Sequence, residues 1–262
     1  MRLDVAGHEV YAYTGTRPFD NALPTVLFVH GAANDHGVFA LQSRYFAWHG
    51  TNVLAVDTPG HGRSKGSALE SVEALADWLN AVMETANIAD VRLVGHSLGA
   101  LAALECAARH PQRIARLALL GPAVPMPVND DLLAAAAEDD HVAYELINGW
   151  SFSAAAQLGG SEAPGMWMTG GAMRLLERCR DGVLAVDLDA CNRYANGLEA
   201  AKAVRCPTLS ILAARDVMAP VCNAQALIAA LCDVKQVTLA ETGHSMMAEQ
   251  PGAVLDALRP FL

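Results

Sequence analysis

The sequence predicts an α/β protein built around a doubly wound, mostly parallel sheet. Short apolar segments alternate along the chain with longer segments in which apolar residues recur at helical spacing. Two of the apolar segments, "TVLFVH" and "NVLAVD", are continuous and rich in β-branched residues, which is typical of strands buried on both faces of a parallel sheet. Because βαβ crossovers are right-handed, we expect helices on both faces of the sheet.

The elements can be justified in chain order. Residues 3–6 and 9–13 alternate apolar and polar side chains and are predicted to form strands joined by a turn at Gly7. The strands that follow are "TVLFVH", "NVLAVD", "VRLVG", "IARLALLG", "PTLSILAA" and "KQVTLAE". Helices are predicted between or after these strands at residues 38–48, 71–86, 98–109, 222–231 and 246–258.

Residues 122–203 interrupt this alternation. The segment is rich in alanine, carries turn signals at "GGSEAPG" and "TGG", and contains no buried strand pattern. It is predicted to form a helical insertion over the sheet, with helices at residues 130–137, 141–148, 172–179 and 184–194. The predicted organisation is a core formed by residues 1–121 and 204–262 and a lid (cap) formed by residues 122–203.

The composition restricts the classes of partner. A formal net charge of −10 argues against a nucleic-acid partner, which would require a basic face. The N-terminus lacks the features of a signal peptide, and no apolar run is long enough to span a bilayer. The six cysteines show no metal-binding spacing. We therefore expect a cytoplasmic chain with free thiols and no membrane partner; the sequence does not indicate an oligomeric state.

The segment "VRLVGHSLGA" places a serine between two glycines at a predicted strand-to-helix turn. Gly95 and Gly99 allow the turn to close. The hydroxyl of Ser97 is then expected above the carboxyl edge of the sheet and at the positive end of the following helix. This Gly-x-Ser-x-Gly pattern is that of a nucleophile elbow, so Ser97 is the predicted nucleophile.

A serine hydroxyl becomes a strong nucleophile only when a base, itself oriented by a carboxylate, removes its proton. Asp216 follows the predicted strand "PTLSILAA", and His244 follows the next one. Because ligands bind outside the carboxyl ends of parallel strands, both side chains are expected near Ser97. The predicted catalytic triad is Ser97, Asp216 and His244. Each residue also has a non-catalytic interpretation when it is considered alone. Asp216 could cap the helix that follows it, and His244 could be an ordinary histidine of a surface loop.

Acyl transfer also requires hydrogen-bond donors for the oxyanion. The predicted donors are the backbone N–H of Leu98, next to the nucleophile, and that of Ala32, in the "HGAAND" segment after the first buried strand. His30 precedes this turn, and we expect it to support the loop by hydrogen bonding rather than to contact the substrate.

These motifs together resemble those of the α/β-hydrolase family over nearly the whole chain. The matching segments are "HGAA", "DTPGHGRS", "GHSLGA", "ARDVMAP" and "ETGHSMMAEQP". The resemblance implies a sheet of about eight strands, a helical lid inserted after the fourth parallel strand, and the triad of Ser97, Asp216 and His244. It implies a structural rather than catalytic role for Asp57 and His61 in "DTPGHGRS".

The leading hypothesis is a serine hydrolase, esterase-like or enol-lactonase-like, without a metal or organic cofactor. Its small-molecule substrate would be an ester, thioester or lactone with an apolar portion, cleaved through an acyl-enzyme. Two alternatives stay open: hydrolysis of a carbon–carbon bond in a β-diketone by the same triad, and a non-catalytic ligand-binding member of the fold. Carbon–carbon hydrolases that resemble this chain commonly carry asparagine and an aromatic residue where His96 and Ser245 stand, which weakens the first alternative.

Methionine and aromatic side chains suit an adaptable apolar pocket, although they also suit an ordinary core. The candidate pocket residues are Trp150, Met166 and Trp167 from the insertion, together with His96 and Met246 beside the predicted catalytic residues. Four arginines of the insertion are expected to face solvent, whereas one that pointed inward would favour an acidic substrate: Arg174, Arg178, Arg180 and Arg193.

Overall fold

One sheet of eight strands forms the centre of the protein in the computed structural model, which describes residues 1–161 and 165–262. The strands are β1 (Arg2–Val5), β2 (His8–Tyr13), β3 (Thr25–Val29), β4 (Asn52–Val56), β5 (Val91–His96), β6 (Ile114–Leu120), β7 (Thr208–Ala213) and β8 (Val234–Leu239). They pair in the order β1-β2-β4-β3-β5-β6-β7-β8. The pairs β1–β2 and β2–β4 are antiparallel and all other pairs are parallel, which confirms the predicted mostly parallel sheet.

Helices cover the sheet and confirm most of the predicted helical segments. Those of the described residues are α1 (Ala40–Ala47), α2 (Val72–Thr85), α3 (Leu98–Arg109), α4 (Asp130–Ala137), α5 (Val142–Ser151), α6 (Ala154–Gln157), α7 (Met168–Leu176), α8 (Val183–Arg193), α9 (Gly197–Ala203), α10 (Val221–Ala230), α11 (Met246–Glu249) and α12 (Pro251–Leu258). A 3-10 turn at His36–Phe39 precedes α1.

Some details of the helices differ from the sequence-based expectation. The closing helix predicted at residues 246–258 is divided into α11 and α12, because Pro251 lacks an amide N–H and disfavours helical geometry at Gln250. Helices α6 and α9 were not predicted; α9 begins after Asn196 with Gly197, residues that are typical of turns. Residues 162–164 of the predicted turn "GGSEAPG" lie outside the described residues.

Alternate side chains of the central strands enter separate apolar layers on the two faces of the sheet. Leu27 and Val29 of β3 belong to the layer packed with α2 and α3, whereas Val26 and Phe28 belong to the layer packed with α1 and α12. Every residue of β3 and β4 is buried. The continuous apolar runs therefore form doubly covered strands, as predicted.

Helices α4 to α9 follow one another between β6 and β7, where the helical insertion is predicted. Residues from α4, α5, α7 and α8 form an apolar cluster of their own, which includes Leu132, Ile147 and Leu188. Helix α9 instead packs against α3 and contributes Ala200 and Ala201 to the main core. The division into a core of residues 1–121 and 204–262 and a lid of residues 122–203 stays a prediction.

Two expectations from composition can be compared with the structure. Within the described parts of the chain, every helix is too short or too polar to cross a bilayer. All six cysteines are free thiols, as expected from their scattered spacing.

Two glycines allow helix α3 to lie directly against the sheet. A Cβ atom at Gly95 would lie 2.1 Å from the carbonyl oxygen of Gly99, and a Cβ atom at Gly99 would lie 2.3 Å from that of Val29. Side chains are not tolerated at such distances, so the close approach of α3 to β3 and β5 requires glycine at both positions. This approach positions Ser97, which lies between β5 and α3.

Replacing Gly99 by alanine should destabilise the protein strongly, because the added methyl group must displace the backbone of β3. We expect Gly99→Ala to lower the free energy of unfolding by about 3 kcal/mol or more, measured by urea denaturation. Gly149→Ala is the matched control, since a Cβ atom there meets nothing within 4 Å and alanine favours the helix by up to about 1 kcal/mol. Equal stabilities for the two variants would contradict the packing argument.

Candidate active site

Ser97 lies at the turn between β5 and α3, as the nucleophile-elbow pattern predicts. Its backbone has φ 56° and ψ −121°, a combination that is strained for a residue with a side chain and that recurs at functional sites. The Ser97 N–H donates a hydrogen bond of 3.0 Å to the carbonyl oxygen of Leu120 on the neighbouring strand. The turn thereby places a half-buried serine in the wall of a cavity at the carboxyl end of the sheet.

Asp216 and His244 form a buried hydrogen-bonded pair at the same edge. Asp216 follows β7 and His244 follows β8, and the distance from His244 Nδ1 to Asp216 Oδ2 is 2.7 Å. The other carboxylate oxygen of Asp216 accepts hydrogen bonds from the backbone N–H groups of Met218 and Ala219, at 2.9 and 2.8 Å. Because an ionised carboxylate only accepts hydrogen bonds, the proton of the neutral imidazole lies on Nδ1 and Nε2 carries a lone pair.

The electrostatics of this pair favour an ionised aspartate. Burial raises the pKa of the Asp216 carboxyl, but the charge and hydrogen bond of His244 and the two backbone N–H donors lower it by more. The net pKa of Asp216 therefore lies below its ordinary value. A carboxylate that stays ionised can hold the imidazole in one tautomer and stabilise its protonated form.

The second ring nitrogen of His244 is free to act as a base. His244 Nε2 is buried, and no hydrogen-bond partner for it is present in residues 1–161 and 165–262. Ser97 and His244 line the same cavity, although no hydrogen bond joins the Ser97 hydroxyl to Nε2. The structure thus brings the three predicted triad residues to one edge of the sheet, with the histidine lone pair unoccupied.

The cavity at Ser97 has a volume of about 160 Å³. One wall comes from the loop after β3, including Ala32 and Asn34, and another from the insertion, including Trp150 and Leu188. Its lining is mostly apolar, and the described part of that lining contains no lysine, arginine, aspartate or glutamate. Such a pocket suits an uncharged ligand.

His96 lines this cavity, and it also contacts the backbone of His244. Its Nε2 is 3.0 Å from the carbonyl oxygen of His244, and the two ring centroids are 4.6 Å apart. Burial, followed by repulsion from His244, lowers the pKa of His96 to about 3. His96 is therefore neutral, so that its Nε2–H donates to the His244 carbonyl.

The loop after β3 is held by His30, as the sequence predicts. The His30 Nδ1 donates to the carbonyl oxygen of Gly31 at 2.9 Å, and its Nε2 accepts from the backbone N–H of Thr58 at 3.1 Å. Neither the Ala32 nor the Leu98 backbone N–H donates a hydrogen bond within the described residues. Both groups are thus available as oxyanion donors, a role that stays a prediction.

The remaining candidate pocket residues lie in different places. Trp150 lines the cavity at Ser97, whereas Met166 and Trp167 line a second, apolar cavity of about 350 Å³. The two cavities share Asn34 and Ser245 as lining residues.

Met246 requires a correction, because its side chain lies in neither cavity. It is fully buried in the apolar layer that packs on the sheet. It begins helix α11, which turns the side chain toward the core rather than toward Ser97.

None of the four insertion arginines lines the cavity at Ser97. Arg178 forms an ion pair with Asp35 at 2.7 Å, and Arg180 donates to the carbonyl oxygen of Ser64 at 2.8 Å. Arg174 and Arg193 pair with acidic residues of their own helices or the adjoining turn. All four side chains are exposed, as expected.

Sequence reasoning missed the role of Glu249, which lies beyond His244 in α11. This buried carboxylate accepts hydrogen bonds from the backbone N–H groups of Gly243 and Ser153, at 3.2 and 3.1 Å. It thereby ties the loop that carries His244 to the insertion. The sequence signal was a charged residue that directly follows the apolar run "MMA".

One group of side chains has the composition of a metal site. Candidate ligand atoms of Asp35, His36 and Asp57 lie within 4.8 Å of one another. Their carboxylate oxygens already accept hydrogen bonds, from His36 and Arg63 at Asp57 and from Gly37 and Arg178 at Asp35. The donors present in the protein therefore satisfy this cluster, consistent with the structural role that the resemblance implies for Asp57.

The comparison with protein families agrees with the fold and the motifs. A family model described as alpha/beta hydrolase fold matches residues 24–251, which is most of the chain. The chain therefore belongs to the α/β-hydrolase fold family, as its motifs predict.

Individual relatives lie within the same family of folds. The (E)-2-((N-methylformamido)methylene)succinate hydrolase of Acinetobacter baylyi is 33% identical over 98 residues, which cover 37% of this chain and only 36% of the relative. An enol-lactonase from Burkholderia xenovorans superposes with a TM-score of 0.88 at 22% identity, over 100% of this chain and 99% of that chain. An esterase from Exiguobacterium antarcticum gives a TM-score of 0.86 at 18% identity, over 99% and 98%.

The lowered pKa of His96 should make the protein less stable in acid. In the unfolded chain this histidine takes a proton below about pH 6.5, whereas in the folded protein it stays neutral down to its pKa of about 3. Its contribution to stability is therefore lost as the pH falls from about 6.5 toward 3, which amounts to roughly 2 kcal/mol between pH 7 and pH 5.

The variant His96→Asn removes this titration and keeps an amide that can donate to the His244 carbonyl. Urea denaturation at pH 7 and pH 5 should show a decrease in unfolding free energy that is smaller in His96→Asn than in the wild type by roughly 2 kcal/mol. The same decrease in both proteins would show that His96 is not held neutral by its surroundings.

Proposed function

We propose that the protein is a serine hydrolase that cleaves a small ester, thioester or lactone with an apolar portion. The observation that carries the proposal is the buried pair of Asp216 and His244, which leaves the Nε2 lone pair unoccupied in the same cavity as Ser97. A strained serine, an oriented imidazole and a carboxylate are the components of nucleophilic acyl transfer.

The proposed reaction proceeds through an acyl-enzyme. Ser97 Oγ attacks the carbonyl carbon while His244 Nε2 takes the hydroxyl proton, and the carbonyl oxygen becomes an oxyanion. The backbone N–H groups of Ala32 and Leu98 donate to that oxygen. When the intermediate collapses, the imidazolium gives its proton to the leaving alkoxide, thiolate or enolate. Water then attacks the acyl-enzyme by the same sequence and regenerates Ser97.

The cavity supports an uncharged and compact acyl group. A cavity of roughly 150 Å³ in another protein accommodates benzene, so the volume of about 160 Å³ at Ser97 suits an acyl group of similar size. The absence of charged residues from the described lining opposes a carboxylate, because a buried ionised group without a partner is unfavourable. The name of the A. baylyi relative includes succinate, a compound with carboxylate groups. We propose that the substrate of the present protein has no carboxylate on its acyl group.

Replacing the nucleophile should abolish ester hydrolysis. We expect Ser97→Ala to lower kcat for 4-nitrophenyl butanoate by about 10⁴-fold or more, since the variant cannot form the acyl-enzyme. Ser67→Ala is the matched control, because Ser67 is an exposed loop residue and its loss should leave kcat unchanged. Release of 4-nitrophenol measures both.

Three outcomes would contradict the proposal. Undiminished hydrolysis in Ser97→Ala would show that another group is the nucleophile. A wild-type protein that turns over a β-diketone but no ester, thioester or lactone would indicate carbon–carbon hydrolysis by the same residues, and one that binds such compounds without turnover would indicate a ligand-binding protein.

The charge of the acyl group should decide turnover. 4-Nitrophenyl hemisuccinate has the acyl chain length of the butanoate ester but ends in a carboxylate. We expect its kcat/KM to be lower by about 100-fold or more, because the cavity offers that carboxylate no cation. Each value is divided by the rate of alkaline hydrolysis of the same ester, which corrects for intrinsic reactivity. Comparable corrected values would show that a cation reaches the acyl group.

A further inference from the structure

A buried carboxylate from the insertion contacts the loop that carries Ala32. Asp187 of α8 is 2% exposed, and its Oδ2 accepts hydrogen bonds from the backbone N–H of Ala33 at 2.9 Å and from His61 Nε2 at 2.8 Å. Asp187 does not touch Ser97 or His244, so the proposed reaction does not use it directly. Its partners lie 154 and 126 positions away along the chain.

These contacts belong to a closed ring of buried hydrogen bonds. His61 Nδ1 lies 2.9 Å from the hydroxyl of Thr58, whose backbone N–H donates to His30 Nε2 at 3.1 Å. His30 Nδ1 then donates to the carbonyl oxygen of Gly31 at 2.9 Å. The backbone of one short loop closes this ring of hydrogen bonds. His30 bonds to the Gly31 carbonyl oxygen, and Asp187 bonds to the Ala33 N–H.

The ring fixes both peptide groups next to Ala32. In a trans peptide the C=O and N–H bonds point in opposite directions. Because the Gly31 carbonyl points toward the imidazole of His30, the Ala32 N–H of the same peptide points away from that imidazole. The following peptide is held by Asp187 at the Ala33 N–H and by the Asn34 side chain at the Ala32 carbonyl. Ala33 is thereby kept at φ 55°, a left-handed conformation that a residue with a side chain rarely adopts.

The charges in the ring strengthen the contact with Asp187. Burial lowers the pKa of His61, but the charge and hydrogen bond of Asp187 raise it by more, so the net pKa lies above its ordinary value. Burial lowers the pKa of His30 to about 4, which keeps it neutral with one donor and one acceptor nitrogen. The charge of Asp187 therefore strengthens the hydrogen bond between Asp187 and His61.

We propose that Asp187 is a positioning residue for the oxyanion site: through the Ala33 N–H and the His61 ring it holds the Ala32 N–H toward the cavity at Ser97. The inference rests on the proposed function, since it assigns the insertion a part in stabilising the oxyanion. It makes the insertion a component of the catalytic centre as well as a wall of the substrate cavity.

The first experiment compares Asp187→Ala with the wild type in the hydrolysis of 4-nitrophenyl butanoate. Loss of one oxyanion donor lowers kcat by about 10²- to 10³-fold in a well-studied hydrolase, and we expect a decrease of about 10²-fold with KM changed by less than about threefold. Asp187→Asn keeps an oxygen that can accept from Ala33, so it should retain kcat to within about tenfold.

A matched control separates positioning from a general loosening of the insertion. Glu105 is also a buried carboxylate; it ties the other end of the insertion to α3 through Tyr194 at 2.6 Å and Asn196 at 3.0 Å. Glu105→Ala should lower the Tm as Asp187→Ala does but leave kcat near the wild-type value. A wild-type kcat in Asp187→Ala, or equal losses of kcat in the two variants, overturns the proposal.

A second measurement does not depend on turnover. Amide hydrogen exchange followed by NMR should show a protected Ala33 N–H in the wild type and exchange at least about tenfold faster in Asp187→Ala. If the wild type hydrolyses no ester, the proposed function fails, and the exchange rate alone decides whether Asp187 holds the loop. Unchanged exchange overturns the inference. If Asp187→Ala does not fold, Asp187→Leu, which has a similar side-chain shape but no acceptor oxygen, takes its place, and a wild-type kcat together with unchanged Ala33 exchange is the overturning result.

Discussion

The contact of helix α3 with strands β3 and β5 is the constraint on which the site depends. Gly95 and Gly99 remove the side chains that would keep the helix away from the sheet. The chain then turns sharply enough to hold Ser97 at positive φ, with its hydroxyl at the end of the sheet. If α3 were displaced outward by the width of a methyl group, Ser97 would move relative to the loops that are carried by other strands.

Those loops meet Ser97 because they leave the same edge of a parallel sheet. Gly121, which follows β6 at φ 59°, lies under the His244 ring, where a Cβ atom would come within 3.2 Å of Cε1. The two side chains next to His244 differ in charge: Asp216 is ionised, whereas burial keeps His96 neutral. His244 therefore has one anionic neighbour and no competing cation among the described residues that line the cavity.

The sequence was most informative where local pattern and topology agree. Buried β-branched runs predicted the parallel strands, and the rule that parallel strands end at one edge placed Asp216 and His244 together. The helical insertion was predicted as a region, but Met166 and Trp167 line a different cavity from the one expected and Met246 lies in the core. Spacing cannot resolve such differences, because the direction of a side chain there depends on how several short helices pack.

Asp187 is the clearest example of a buried contact that the sequence does not predict. In the sequence it is one of two acidic residues in an insertion helix, yet in the fold it bonds to a backbone group 154 positions away. Buried carboxylates of this kind can be identified only when their partners are known, since burial without partners would be unfavourable. The same holds for Glu249, whose two backbone donors come from the His244 loop and from the insertion.

The central claim is that the pair of Asp216 and His244 activates Ser97. The most direct test is to treat the wild type and His244→Gln with a fluorophosphonate and to locate the adduct by mass spectrometry of peptides. An activated serine reacts with this probe and an ordinary serine does not. The account predicts one adduct, on Ser97, in the wild type and none in His244→Gln. An unlabelled wild type, or equal labelling of both proteins, would contradict it.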